Sequence, residues 1–377
     1  MNVIFTCGGT GGHINPAIAV ANRLKERNPN CNILFIGAKG HMEEELVPKA
    51  GYRLECLPGS GLSRGKSFSA IKKNIKALKC VLDAKKQCKK IIRDFKPDVI
   101  IGTGGYASYP ALNAGSKLGI PTCVHEANAV PGLTTKMAAN GADQVLVCFE
   151  ESRKYYKHAE RVEVVGMPIR REFWELDRAE ARKELGIGDE PLLVSTFGSQ
   201  GARVMNQMIA ELFALEQADG FPFRHIHAVG SFGWEWMPDL VKEKGVDLAN
   251  CHSIDMREYI YNMPTVLAAA DVVIGRAGSG TCNEIAATGT PCILIPSPNV
   301  TNNHQEKNAR VLESGGGAIV LLEQDAGAKA VYDQVRDLLN NKEKSAQMSA
   351  QLREMAVADS ADRICIILER LADKTKN

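Results

Sequence analysis

The chain has no stretch approaching the roughly 20 consecutive apolar residues that a membrane-spanning helix requires. Its first residues show no charged segment followed by a long apolar core, so no secretory leader is expected. Charge of one sign is also scarce. The formal net charge is +2 over 377 residues, which speaks against a general nucleic-acid binder. The eleven cysteines stand singly, with neither a CxxC pair nor zinc-ligand spacing. They read as reduced, mostly buried thiols of a cytoplasmic protein. The phosphate-binding pattern GxxxxGK[ST] is missing, and the first glycine turn departs from the GxGxxG spacing of dinucleotide folds.

What remains is a soluble globular composition, 45% hydrophobic and 24% charged, with length for two domains. Apolar strand-like runs alternate with helical patterns, as in parallel α/β layers. Strands are expected at Val3–Thr6, Asn32–Ile36, Arg53–Leu57, Val99–Gly102, Thr122–His125, Gln144–Val147 and Glu163–Val165. In the second half they are expected at Leu192–Thr196, His225–Val229, Cys251–Ile254, Val272–Gly275, Cys292–Ile295 and Ala318–Leu321. The first helix is expected over Pro16–Arg27 and the last over Ser360–Asp373, with Ile364, Ile367, Leu368 and Leu371 on one face. Gly166-Met167-Pro168-Ile169-Arg170 interrupts the alternation and suits a linker, because proline extends the residue before it. Domains are therefore expected at 1–165 and 166–357, with a terminal helix at 358–377.

Each half opens on a strand, a glycine-rich turn and a helix: Cys7-Gly8-Gly9-Thr10-Gly11-Gly12-His13, then Phe197-Gly198-Ser199-Gln200-Gly201-Ala202-Arg203. Free N–H groups at such helix starts bind anions, phosphates above all. Four glycines within Gly8–Gly12 exceed what a structural turn needs. His13 should begin the helix, where a neutral imidazole can deprotonate a hydroxyl. Asn128 ends a buried strand and suits sugar hydroxyls. Arg170 can neutralise leaving-group charge. Glu284, one turn beyond Arg276-Ala277-Gly278-Ser279-Gly280-Thr281, can accept from ribose hydroxyls. The amides around Gln305 suit hydroxyl recognition, although turn chemistry explains Asn302 and Asn303. From Arg64 to Asp98 there are twelve Lys/Arg and three Asp/Glu. Within it, Ile71, Ile75, Leu78 and Leu82 alternate with Lys72, Lys73, Lys76 and Lys79 in a basic amphipathic helix. Such a helix fits an anionic membrane surface, and equally a core-facing stripe.

Six motifs in order resemble the MurG family of bacterial glycosyltransferases: GGTGGH at 8–13, GTGGY at 102–106, HE-x-N at 125–128, GSQGAR at 198–203, RAG at 276–278 with Glu284, and TNNHQEKNA at 301–309. The resemblance implies a GT-B fold, two Rossmann-like doubly wound parallel-sheet domains facing across a cleft. It implies an inverting transfer of GlcNAc from UDP-GlcNAc to the C4 hydroxyl of MurNAc in lipid I (undecaprenyl-diphosphate-MurNAc-pentapeptide), with no cofactor and no catalytic metal. His13 would be the base. Thr10, Gly11 and Gly12 would lie near the donor sugar and acceptor diphosphate. Asn128 and Gln305 would contact GlcNAc; Arg170 and Ser199, the diphosphate. Ile260 would meet the uracil through its backbone, Ser279, Gly280 and Thr281 the phosphates, and Glu284 the ribose. Gly104, Gly105 and Tyr106 would belong to the acceptor side. Ile71, Lys72, Ile75, Lys76, Leu78 and Lys79 would meet the cytoplasmic leaflet of an anionic membrane as a peripheral protein, and the terminal helix would cross back to the first domain. Met167, Phe197 and Ala127 depart from the family's usual asparagine, glycine and glutamine. A transferase with another lipid acceptor such as diacylglycerol, a UDP-GlcNAc 2-epimerase and a nucleotide-sugar sensor remain as alternatives.

Overall fold

The computed structural model describes residues 1–58 and 83–374. The basic amphipathic segment, with Ile71, Lys72, Ile75, Lys76, Leu78 and Lys79, lies outside the described residues. The chain divides into two compact units, Met1–Ile169 with Asp359–Asn377, and Arg170–Ala358. The division falls inside the Gly166–Arg170 segment.

The first unit holds β1 (Asn2–Thr6), β2 (Asn32–Ala38), β3 (Arg53–Leu57), β4 (Val99–Gly102), β5 (Thr122–Glu126), β6 (Gln144–Val147) and β7 (Val162–Val164). They form one parallel sheet in the order β3-β2-β1-β4-β5-β6-β7. Its central strands are continuous Val/Ile runs because both faces are covered. One face puts Val3, Phe5, Phe35, Val99 and Ile101 against the helix Gly11–Arg27 and the terminal helix Ser360–Asp373. The other puts Ile4, Ile36, Ile100 and Val124 against Ala84, Cys88 and Ile92 of the helix over 83–95 and Ala111 of the helix Ser108–Lys117. Ile364, Leu368 and Leu371 of the terminal helix are buried in the first core. Arg23 holds Asp362 through Nε at 2.9 and 3.0 Å, and Arg27 holds Glu369 at 2.8 Å. These half-exposed pairs set the helix's register more than its stability.

The second unit holds β8 (Leu192–Thr196), β9 (Arg224–Ala228), β10 (Ile254–Arg257), β11 (Val272–Gly275), β12 (Cys292–Leu294) and β13 (Ile319–Val320). Their order is β10-β9-β8-β11-β12-β13, again parallel throughout. In each sheet the order reverses beside the first strand of its unit, between β1 and β4 and between β8 and β11. Ligands of doubly wound folds bind at such switch points, beyond the carboxyl ends of the strands.

Most boundaries fall within two residues of expectation; two elements differ by three or more. The first helix begins at Gly11, so Pro16 lies inside it and His13 is its third residue. The edge strand β10 begins at Ile254, where the expected run Cys251–Ile254 ends. Ladder pairing of Ile254 with His225 sets that start, and Asp255 and Arg257 tie to each other at 2.5 Å on a strand only partly covered. Among the described residues, no helix is long and apolar enough to cross a membrane.

Candidate active site

The glycine turn after β1 is organised by a residue that the sequence did not mark. Glu43 opens the helix Glu43–Lys49 and is fully buried. Its carboxylate accepts from Ala38 N–H at 2.8 Å and from Gly9 N–H at 3.1 Å. Two glycines make room for it. A Cβ on Gly8 would stand 2.6 Å from Glu43 Oε1, and one on Gly37 would stand 2.6 Å from Glu43 Cγ. Burial and the Glu43 charge push the neighbouring Cys7 thiol up to about 12, which keeps it protonated and inert.

Thr10 caps the helix in extended conformation, so Gly11 and Gly12 present first-turn N–H groups that no helical carbonyl reaches. His13 Nδ1 lies 3.0 Å from the Gly8 carbonyl. A carbonyl oxygen only accepts, so this contact, shorter than the 3.4 Å approach of Thr10 Oγ1 to the same nitrogen, favours the Nδ1–H tautomer, which leaves Nε2 with its lone pair. Gly104, at φ +111°, lies against the imidazole edge; a Cβ there would be 2.9 Å from Nε2. Gly105, at φ +85°, meets the turn backbone to backbone, with its would-be Cβ 2.2 Å from Gly8 O. Thr103 Oγ1 donates to His13 O at 2.6 Å. The GTGGY turn after β4 is thus the wall against which His13 is held, and Tyr106 lies on the same turn.

At the end of β5, Glu126 accepts from Asn128 N and Nδ2, both at 3.0 Å, and from Gly132 N–H at 3.1 Å. Glu126, the second residue of the HE-x-N motif, thus orients Asn128, a role the motif itself does not reveal. His125 is buried with Nε2 3.0 Å from Gly166 O, and burial lowers its pKa, keeping it neutral.

The second unit repeats the design. After β8, Gly201 N–H closes the turn onto Gly198 O at 3.0 Å, with both glycines at positive φ. A Cβ on Gly201 would meet Val229 O at 2.0 Å. Ser199 and Gln200 are exposed at the tip, and their carbonyls receive Ser231 N–H at 3.4 Å and Phe232 N–H at 3.2 Å. After β10, Ile260 is buried, while its sequence neighbours Tyr259 and Tyr261 are exposed with their rings edge to face, centroids 4.9 Å apart. After β11, the helix Ser279–Thr288 starts from an extended Gly278, aiming first-turn N–H groups of Gly280 and Thr281 outward. Arg276 bonds Ile295 O at 3.0 Å and pairs with Glu323, so it braces the sheet. After β12, Gln305 Oε1 accepts from Ser297 N–H at 2.9 Å, and its Nε2 amide has no partner among the described residues. Asn302 and Asn303 occupy left-handed conformations (φ 57° and 51°), which is their turn role.

Arg170 is exposed, with its guanidinium 5.3 Å from the Phe173 ring centroid. Its charge also reaches Glu284. Burial pushes the Glu284 carboxyl up to about 6, and Arg170 opposes that rise. The acid is more easily protonated folded than unfolded. Stability of the ligand-free second unit should therefore fall as pH rises from about 4.5 to about 6. Thermal melts across that window should show the step in the native chain and lose it in Glu284→Gln.

The glycosyltransferase family 28 N-terminal domain matches residues 3–147 and the family's C-terminal domain matches residues 192–364. The UDP-N-acetylglucosamine--N-acetylmuramyl-(pentapeptide) pyrophosphoryl-undecaprenol N-acetylglucosamine transferase of Acetivibrio thermocellus is 39% identical over 98% of this chain and 98% of its own. The protein of the same name from Thermoanaerobacter sp. (strain X514) is 41% identical over 98% of this chain and all of its own. The crystal structure of Acinetobacter baumannii MurG superposes with a TM-score of 0.77 over 98% of this chain and 99% of that one, at 24% identity. The fold is accordingly GT-B, with two Rossmann-like parallel-sheet domains. By these matches the chain belongs to glycosyltransferase family 28 and, within it, to the MurG family.

Proposed function

We propose that this chain transfers GlcNAc from UDP-GlcNAc to the C4 hydroxyl of the MurNAc unit of lipid I, with inversion at the anomeric carbon. The observation that carries the reading is His13, with Nδ1 on the Gly8 carbonyl at 3.0 Å and Nε2 beside Gly104. Full-length likeness to transferases named for a GlcNAc transfer onto N-acetylmuramyl-(pentapeptide) pyrophosphoryl-undecaprenol supports the choice of substrates.

His13 Nε2 takes the proton of the C4 hydroxyl as that oxygen attacks the GlcNAc anomeric carbon. The bond to the UDP oxygen breaks on the opposite face, and its electron pair leaves with UDP. The N–H groups at the start of Ser279–Thr288, with Ser199 and Arg170, take up the charge that develops on the diphosphate. Glu284, ionised near neutral pH, accepts from the ribose hydroxyls. Ile260 offers backbone groups to the uracil. Asn128 and Gln305 bind the GlcNAc, and Thr10, Gly11 and Gly12 approach the donor sugar and the acceptor diphosphate. Gly104, Gly105 and Tyr106 form the acceptor side. On this reading the protein works peripherally at the cytoplasmic face of the membrane, and the excess of Lys/Arg over 64–98 supports contact with an anionic leaflet.

The test incubates purified protein with labelled UDP-GlcNAc and either a lipid I analogue or diacylglycerol. Labelled disaccharide-lipid from lipid I alone is expected. Product from diacylglycerol alone, or free ManNAc with UDP and no lipid product, would overturn the reading.

A further inference from the structure

Glu43 and His13 touch opposite ends of the same peptide group. The Gly8–Gly9 peptide gives its N–H to Glu43 Oε2 at 3.1 Å and its carbonyl to His13 Nδ1 at 3.0 Å. Glu43 lies on a different helix from His13 and is shielded from water. Nothing in its local sequence distinguishes it from Glu44 and Glu45. Yet the fold devotes two glycine positions, Gly8 and Gly37, to admitting its side chain.

A carboxylate at the N–H end of a peptide polarises that peptide and makes its carbonyl a stronger acceptor. When His13 takes the acceptor proton it becomes an imidazolium, and the group facing Nδ1–H must then meet a positive charge. We propose that Glu43 is a positioning residue for the transfer: through the Gly8–Gly9 peptide it fixes the His13 tautomer and stabilises the imidazolium formed during the reaction. The role is that of the carboxylate of a Ser-His-Asp triad, carried here across one peptide unit. The inference rests on His13 being the base.

Among the described residues, the ionisable groups near this pair are few. Cys7 and Cys56 are held protonated, at about 12 and about 11, by burial first and by neighbouring carboxylates second. His125 is kept neutral by burial. Glu44 is engaged with Gly40 N–H at 2.9 Å. Glu43 is therefore the charge that faces Gly9.

Glu43→Gln keeps the shape and removes the charge. In the full chain, turnover of UDP-GlcNAc with a lipid I analogue should fall at least about tenfold. The acid limb of the pH–rate profile should move to lower pH, because the imidazolium is less stabilised. Nitrogen NMR of the His13 ring should report loss of the pure Nδ1–H form. UDP affinity and the far-UV spectrum control for folding. Glu43→Asp, which keeps the charge, should recover part of the rate if Glu43→Gln folds poorly. The double variant separates the two ideas. If Glu43 works through His13, adding Glu43→Gln to His13→Ala costs little more turnover. An unmoved acid limb and ring tautomer, with fully additive losses, would overturn the role of Glu43 while leaving His13 as base. Wild-type turnover in His13→Ala alone would instead overturn the base assignment beneath it.

Discussion

His13→Ala lowers turnover by about 10²–10⁴, the range a positioned general base contributes, and leaves UDP affinity unchanged. The reason is local. The imidazole belongs to the first unit, whereas the groups proposed for uracil, ribose and diphosphate belong mainly to the second. Truncating His13 removes the Nε2 lone pair without touching Ile260, Ser279 or Glu284. The Gly8 carbonyl loses its Nδ1–H partner, but His13 is only partly buried and water can replace that bond. Steady-state kinetics with the lipid I analogue should show kcat and kcat/KM falling together, the mark of an interaction made in the transition state. Isothermal titration with UDP supplies the binding arm. Turnover at the wild-type rate would remove His13 from the mechanism.

Gly105→Ala destabilises the first unit by about 2–5 kcal/mol. Roughly 1–2 kcal/mol comes from an L-residue at positive φ, and about 1–3 from forcing apart packed backbone. The added methyl would sit 2.2 Å from the Gly8 oxygen, a distance no rotamer can relieve, so the two turns must separate. Because that oxygen also receives His13 Nδ1–H, stability and turnover should fall in the same variant. Gly119→Ala is the control. It too has positive φ (75°), but its would-be Cβ meets nothing within 4 Å. Urea melts of the two variants separate the conformational cost they share from the contact that Gly105 alone makes. Equal destabilisation would mean the turns slide apart freely.

Much of this was readable in advance because parallel α/β sheets write themselves as buried apolar runs. Val99–Gly102 and Val272–Gly275 are covered on both faces and have no polar alternation to confuse. The glycine turns were readable because positive φ and close backbone approach leave almost no other residue possible. The edge strand Ile254–Arg257 reads three residues early in the sequence, since half-covered polar strands carry weak periodicity. The helix Lys342–Met355 leaves little trace in the sequence, because only Met348 and Leu352 of its fourteen residues are buried. Glu43 could not be picked from Glu43-Glu44-Glu45, because three acids in a helix's first turn are what its dipole favours. Only the space left by Gly8 and Gly37, remote in sequence from one another, shows which one turns inward.

The terminal helix has a consequence for how the molecule is made. Ile364, Leu368 and Leu371 complete a core whose members outside the terminal helix include Ile14, Val20 and Leu24, among the earliest residues to emerge from the ribosome, and none later than Val165. The N-terminal sheet must wait with an uncovered apolar flank while nearly 200 further residues are synthesised. At about 5–20 residues per second, that is an exposure of roughly ten to forty seconds. Nascent chains should therefore gain protease resistance in reverse order of their starts, Arg170–Ala358 before the first-made half.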